Sequence, residues 1–178
     1  MENDWENDFE IDKLGKKEKK KKKADGSKKG KRVERNLAHI LTDRFKKEFS
    51  RSLGSGNRWS QIKNMPSHAK ETLTGDLCCP VGFKFVIESK GGYSKIDLNG
   101  VFENGNSELD SFMKQAEDDS IRINKMPLLI WKKDRKPWMA FVKTKDLQGL
   151  YDFKLTYKEW TAVTLMKLLE LEDNYFFN

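Results

Sequence analysis

The chain has 178 residues, enough for one domain with a real core and too few for two substantial ones, so a single active site is expected. Its net charge of +7 is unevenly spread: residues 1–12 carry −6, residues 13–32 carry +10, and the rest is only mildly basic at +3. No apolar stretch approaches the roughly 20 residues of a membrane span and the charged start has no signal-peptide core, so the expectation is a soluble, cytoplasmic protein without a membrane partner.

Residues 1–30 read as a disordered arm, because an acidic aromatic segment, DWENDFEID, is followed by a lysine tract that buries almost nothing. The tract suits sequence-independent attraction to phosphate, although such runs also serve acidic proteins and membranes. Trp5, Phe9 and Ile11 could fold onto a protein partner or sit back on the basic body. From Val33, the apolar positions Leu37, Ile40, Leu41, Phe45 and Phe49 recur at three- and four-residue steps, which predicts an amphipathic helix over 31–50 with Glu34 at the edge of its stripe. The next stretch, RSLGSGNRWSQIKNMPSHAKETLTGD, has no sustained period and reads as a long loop with a short helical turn.

DLCCPVGFKFVIESK is consistent with a strand hairpin turned at Pro80 and Gly82. Cys78 and Cys79 are adjacent, so on an extended segment they point to opposite faces and form neither a metal nor a redox pair. Ser107 with Glu108 and Asp110 opens a helix to about Asp119, with Leu109, Phe112, Met113 and Ala116 inward. PLLIWKK and PWMAFVK predict two strands around a turn at 134–136. Thr156 and Glu159 look like a capping box for a last helix carrying Trp160, Val163, Met166 and Leu169. The order gives an α/β or α+β domain over 31–178, built on a mixed sheet flanked by helices.

Hydrolysis of a phosphodiester calls for a hard cation on carboxylate oxygens, so two acids must converge. If Asp76 begins one hairpin arm and Glu88 ends the other, the two carboxylates meet at one end of the sheet. Lys90, two residues beyond Glu88, falls on the same strand face. It could orient or deprotonate water, or neutralise transition-state charge. An acid and a lysine at a strand end also arise by chance in a chain that is 35% charged. The apolar run FVI before Glu88 argues instead for the end of a buried strand.

Around the long loop, Arg51, Arg58 and Trp59 suit contact with phosphate and stacking on bases, although a buried Trp59 is an equal alternative. His68 could contact DNA or be an exposed loop residue.

The order KRVERNLAHIL, RSLGSG, GD and FVIESK resembles the PD-(D/E)XK nuclease superfamily, and most closely its archaeal and phage-type Holliday junction resolvases, over about residues 30–142. The resemblance implies a restriction-endonuclease-like fold. It makes Asp76 and Glu88 metal ligands assisted by Glu34, and Lys90 a catalytic lysine. Ser55 corresponds to a mobile loop residue that touches the substrate backbone. Lys132, on the late strand, and Gln115, on the preceding helix, match residues near the site, with ordinary solvated or structural roles as their alternatives. The proline usual before the first acid is replaced here by Gly75.

The reading is thus a metal-dependent endonuclease using Mg²⁺, for which Mn²⁺ substitutes. Branched DNA is its leading substrate and a homodimer its leading assembly, the dimer resting mainly on the resemblance. The alternatives are a nuclease of flap, linear or single-stranded DNA, and a binding protein that keeps the fold without cutting.

Overall fold

The computed structural model describes residues 9–11, 17–19, 26–52, 58–93, 96, 105–147 and 154–178. Two short strands, β1 (Phe9–Ile11) and β2 (Lys17–Lys19), pair antiparallel inside the segment expected to be a disordered arm. Helix α1 runs Gly26–Phe45, starting five residues before the expected helix and ending five residues before its expected end. Val33, Leu37, Ala38, Leu41 and Phe45 are its buried apolar positions, as the three- and four-residue steps require. Phe49 lies beyond the helix but in the same core.

The supposed long loop is more structured than its sequence suggests. It contains β3 (Ser50–Arg51), α2 (Arg58–Ile62) and α3 (Ser67–Leu73) before β4 (Leu77–Cys78). The expected hairpin is corrected in one respect. β4 pairs with β3, and not as a ladder with β5 (Phe85–Gly91). Asp76 alone bridges to β5, its N–H donating to the Ile87 carbonyl at 2.9 Å.

From β5 the chain passes through α4 (Ser107–Ile123) to β6 (Met126–Lys132), which lies parallel to β5. Asn106 caps α4 by accepting the Leu109 N–H at 2.9 Å. β7 (Trp138–Lys143) returns antiparallel to β6.

The C-terminal helix and its capping box are not formed. Residues 155–164 make a hairpin of β8 (Leu155–Tyr157) and β9 (Trp160–Thr164), closed by Lys158 at positive φ. Trp160 and Ala162 face one core cluster and Val163 the other, a two-residue period that excludes a helix. Only the four-residue helices α5 (Leu165–Leu168) and α6 (Asp173–Phe176) follow.

The resulting five-stranded mixed sheet has the order β5-β6-β7-β9-β8. Its two faces are sorted by alternation. Phe85, Ile87, Leu128, Ile130, Ala140 and Val142 join α1 and the C-terminal segment in one core. Leu129, Trp131, Phe141, Trp160 and Ala162 join α4 in the other. This is the expected α/β sandwich, a sheet with helices on both faces. Among the described residues, no helix is long and apolar enough to cross a membrane.

Candidate active site

β5 sets the site because its inner residues alternate between two helices and its end runs out of apolar side chains. Glu88 is 1% exposed. Lys90 follows on the same face, and its ammonium contacts the Glu88 carboxylate. The Lys90 Nζ also donates to Gln115 Oε1 at 3.0 Å, from α4, and lies 5.1 Å from the centre of the buried Phe112 ring. Gln115 thereby helps to hold the Lys90 ammonium in place.

Asp76 reaches Glu88 by a backbone device. Gly75 adopts φ +92°, and a Cβ there would stand 2.7 Å from the Ile87 carbonyl oxygen. That positive φ is closed to proline, whose ring fixes φ near −65°. The replacement of proline by glycine is thus a requirement of this backbone path. Asp76 is then pinned on both sides, its N–H to Ile87 and its carbonyl accepting the Ser52 N–H, each at 2.9 Å. Its Oδ2 accepts the Ser89 N–H at 2.8 Å.

The two carboxylates end up close together and away from water. Burial, and then the charge of Asp76, push Glu88 well above the usual carboxylate range. Burial also raises Asp76, against the pull of the Ser89 N–H. Burial by itself would lower Lys90, but Glu88 and Asp76 beside it hold its pKa above the ordinary lysine value. The pair thus lacks positive charge, and Lys90 supplies only part of it. Glu88 Oε1 is buried without a well-formed hydrogen bond.

All of this faces a cavity of about 910 Å³, lined by Glu34, Trp59, Asp76, Glu88, Lys90 and Gln115 among others. α1 delivers Glu34 because Gly91 lets the helix come close: a Cβ at Gly91 would stand 2.7 Å from Val33 Cγ2. The Glu34 carboxylate is engaged by Arg51 Nε at 2.5 Å. Arg51 therefore anchors an acid of the site. Trp59 is half-buried on the cavity wall, with the Arg122 guanidinium 5.4 Å from its ring centre.

Two candidates fall elsewhere. Lys132 pairs in register with Gly91, on the sheet face opposite Lys90, and its ammonium turns to the carbonyls of Lys133 and Lys136. It does not face the site, because one residue of register reverses the direction of a strand side chain. His68 is exposed on α3 and does not line the cavity. Ser55 and the Arg58 side chain lie outside the described residues.

Sequence reasoning missed Asp119 and Arg122. Asp119 lies one helical turn beyond Gln115 and lines the cavity, and burial raises its pKa against the pull of Arg122. Asp119 lay at the end of the predicted helix, and the turn that carries Arg122 was missed because the helix continues to Ile123. Cys79 is buried and its thiol is pushed up to about 12, so it is an unreactive core residue as expected.

The donors suit a hard divalent cation, being carboxylate oxygens short of positive charge. Among the described residues, no three of His, Cys, Asp and Glu stand together as a ready ligand set. The fit is therefore to an ion held by Asp76 and Glu88 with water and phosphate oxygens completing its shell, a mode magnesium commonly uses.

Comparison with known proteins agrees with this geometry. Residues 25–176 match the family described as "Phage putative PDDEXK endonuclease". Protein D14 of Escherichia phage T5 is 31% identical over 126 residues, covering 68% of this chain and 73% of that protein. No solved structure gives a significant match. With acids from β5 and the preceding turn, a lysine two residues on, and a family match across nearly the whole described fold, the chain belongs to the phage PDDEXK endonuclease family of the PD-(D/E)XK superfamily.

Proposed function

We propose that the protein is a Mg²⁺-dependent endonuclease that hydrolyses phosphodiester bonds in branched DNA, with four-way junctions as the leading substrate. The observation that carries the hydrolytic reading is the convergence of Asp76 and Glu88 at the end of β5, with Lys90 held between Glu88 and Gln115. Asp76 and Glu88 would hold the cation, with Glu34 assisting from α1. When bound, it would lower the pKa of an attacking water and offset phosphate charge. Lys90 donates to the water or to a phosphate oxygen, where its positive charge meets the charge that develops in the transition state. Gln115 orients that ammonium from the side away from Glu88. Trp59 and the lysine-rich arm contribute stacking and backbone attraction to DNA.

The preference for junctions, the homodimer and the use of Mg²⁺ over Mn²⁺ rest on the resemblance to resolvases. Paired nicks across a junction require two symmetric sites, which is the argument for two copies.

Matched four-way, flap and linear duplexes of one sequence, incubated with Mg²⁺, with Mn²⁺ and with EDTA, test the reading. Cleavage should need the divalent ion and be fastest on the four-way junction. Equal rates on all three substrates would remove the junction assignment, and no nicking with either metal would leave a binding protein on a nuclease fold.

A further inference from the structure

Four glycines lie along this cavity, and they are there for different reasons. Gly75 and Gly91 are required by the fold, because a Cβ at either would press to 2.7 Å on a neighbour. Gly26 and Gly30 are not. Both lie in α1, and among the described residues no atom comes within 4 Å of a Cβ placed at either one. Glycine inside a helix is less stable than alanine, and here no packing contact compensates.

Their placement supplies the missing reason. Gly26, Gly30 and Glu34 are spaced four residues apart, so they fall on one helix face, and all three line the cavity. The result is a strip of bare helix backbone leading to the carboxylates. A second, independent feature lies across from it. Ser89 is 8% exposed and lines the same cavity, and its buried Oγ has no hydrogen-bond partner among the described residues. A buried hydroxyl without a partner costs stability unless something supplies one. The cations on the cavity wall are Lys63, Lys90 and Arg122, whereas the exposed Lys28, Lys31, Arg32 and Arg35 of α1 fall on its other faces. The first turn of α1 contains no acid.

We propose that the Gly26–Gly30–Glu34 face of α1, together with the Ser89 hydroxyl, is a track for the sugar-phosphate backbone of one DNA strand approaching the scissile position. The absent side chains let a strand lie against the helix, Lys63 and Arg122 on the cavity wall neutralise its phosphates, and Ser89 donates to a phosphate oxygen. The proposal rests on the nuclease reading for the identity of the ligand, but it concerns binding and not chemistry.

The test uses the full-length protein and a fluorescein-labelled DNA duplex. Anisotropy in EDTA gives affinity, cleavage in Mg²⁺ gives activity, and thermal unfolding gives stability. Gly30→Ala and Gly30→Leu, with Gly26→Leu, should raise the melting temperature or leave it unchanged, since Ala and Leu are better helix formers. Affinity should nevertheless fall, by about two- to threefold for the methyl and about tenfold for either leucine, the loss of one or two phosphate contacts. Ser89→Ala should weaken binding by a few-fold without loss of stability. Asn36→Leu, on the exposed side of the same helix, should leave affinity and activity unchanged.

Leucine variants that bind within twofold of the parent would overturn the track. So would a fall in melting temperature at Gly26 or Gly30, because it would give the glycines a packing role. A parent protein that binds DNA without cutting it would refute the nuclease reading alone, since the affinities still judge the track.

Discussion

The two ends of β5 are built to opposite purposes. At its start, Phe85 joins Phe45, Phe49, Phe83, Phe176 and Phe177 in an aromatic cluster whose ring centres lie 4.8–6.3 Å apart, many of them edge to face. The C-terminus is tied into that end by the Lys84 N–H to the Phe176 carbonyl and the Asn178 N–H to the Gly82 carbonyl. Toward its finish, three residues on, Glu88 and Asp76 crowd two buried carboxylates together with one lysine between charge and solvent. The aromatic end satisfies its apolar contacts internally, with the Tyr175 hydroxyl its one buried polar atom without a partner among the described residues. The other leaves charge and hydroxyl groups that only a ligand can satisfy, and such unmet groups are where function is to be sought.

The comparison can be broken at several points. The largest effect is expected from the charged end: Asp76→Asn, Glu88→Gln and Lys90→Ala should each lower cleavage by about 10² to 10⁴ while DNA binding persists. Gel assays of cleavage against mobility shift check this, and a variant that cuts at the parental rate would remove its residue from the machinery. At the aromatic end, Phe176→Ala should destabilise the protein by about 3–5 kcal/mol, read from urea unfolding. Its folded fraction should still cut normally, since Phe176 is remote in role from the carboxylates.

A third prediction joins the ends through pH. The folded pKa of Glu88 lies above its unfolded value near 4.5, so its contribution to stability is complete below that pH and is lost as pH rises through the folded value of about 8. In EDTA, Glu88→Gln should therefore be more stable than the parent, by a margin that widens over this window. Each kcal/mol corresponds to about 2–4 °C in melting temperature for a chain of this size. Added divalent ion should stabilise the parent and not the variant. A margin that narrows with rising pH would contradict the burial of charge at this end. The smallest effect concerns the arm: removing residues 1–25, which spares α1, should weaken DNA binding and flatten its salt dependence without altering the metal requirement.

Dimerisation also looks different once the ends are compared. By sequence, the terminal Tyr175, Phe176 and Phe177 could meet a partner copy or dock on their own core, and Phe176 and Phe177 are buried in that core. The homodimer is left to rest on the resemblance to resolvases, to be tested by sedimentation.

Read by itself, the amino-acid order determined the elements whose periods are strong and the chemistry whose spacing is local. The stripe of α1, the inward face of α4 and the strands β6 and β7 repeat at 3.6 or 2 residues over long enough runs to be read. Glu88 and Lys90 share a face because they are two apart on a strand. Tertiary structure decided whatever depended on partners distant in the chain. Residues 155–164 became a hairpin because both faces of β9 find a core, which overrode the local capping pattern. Lys132 turned from the site because its register with Gly91 puts it on the far face of the sheet. Arg122 joined the site because α4 runs one turn past Asp119, to Ile123. Asp76 reached Glu88 through a backbone hydrogen bond that no spacing rule foresees, and the bare face of α1 acquired a meaning only when the cavity in front of it could be seen. Periodicity is a local property of the chain, whereas burial and the register between strands are settled by the assembled molecule.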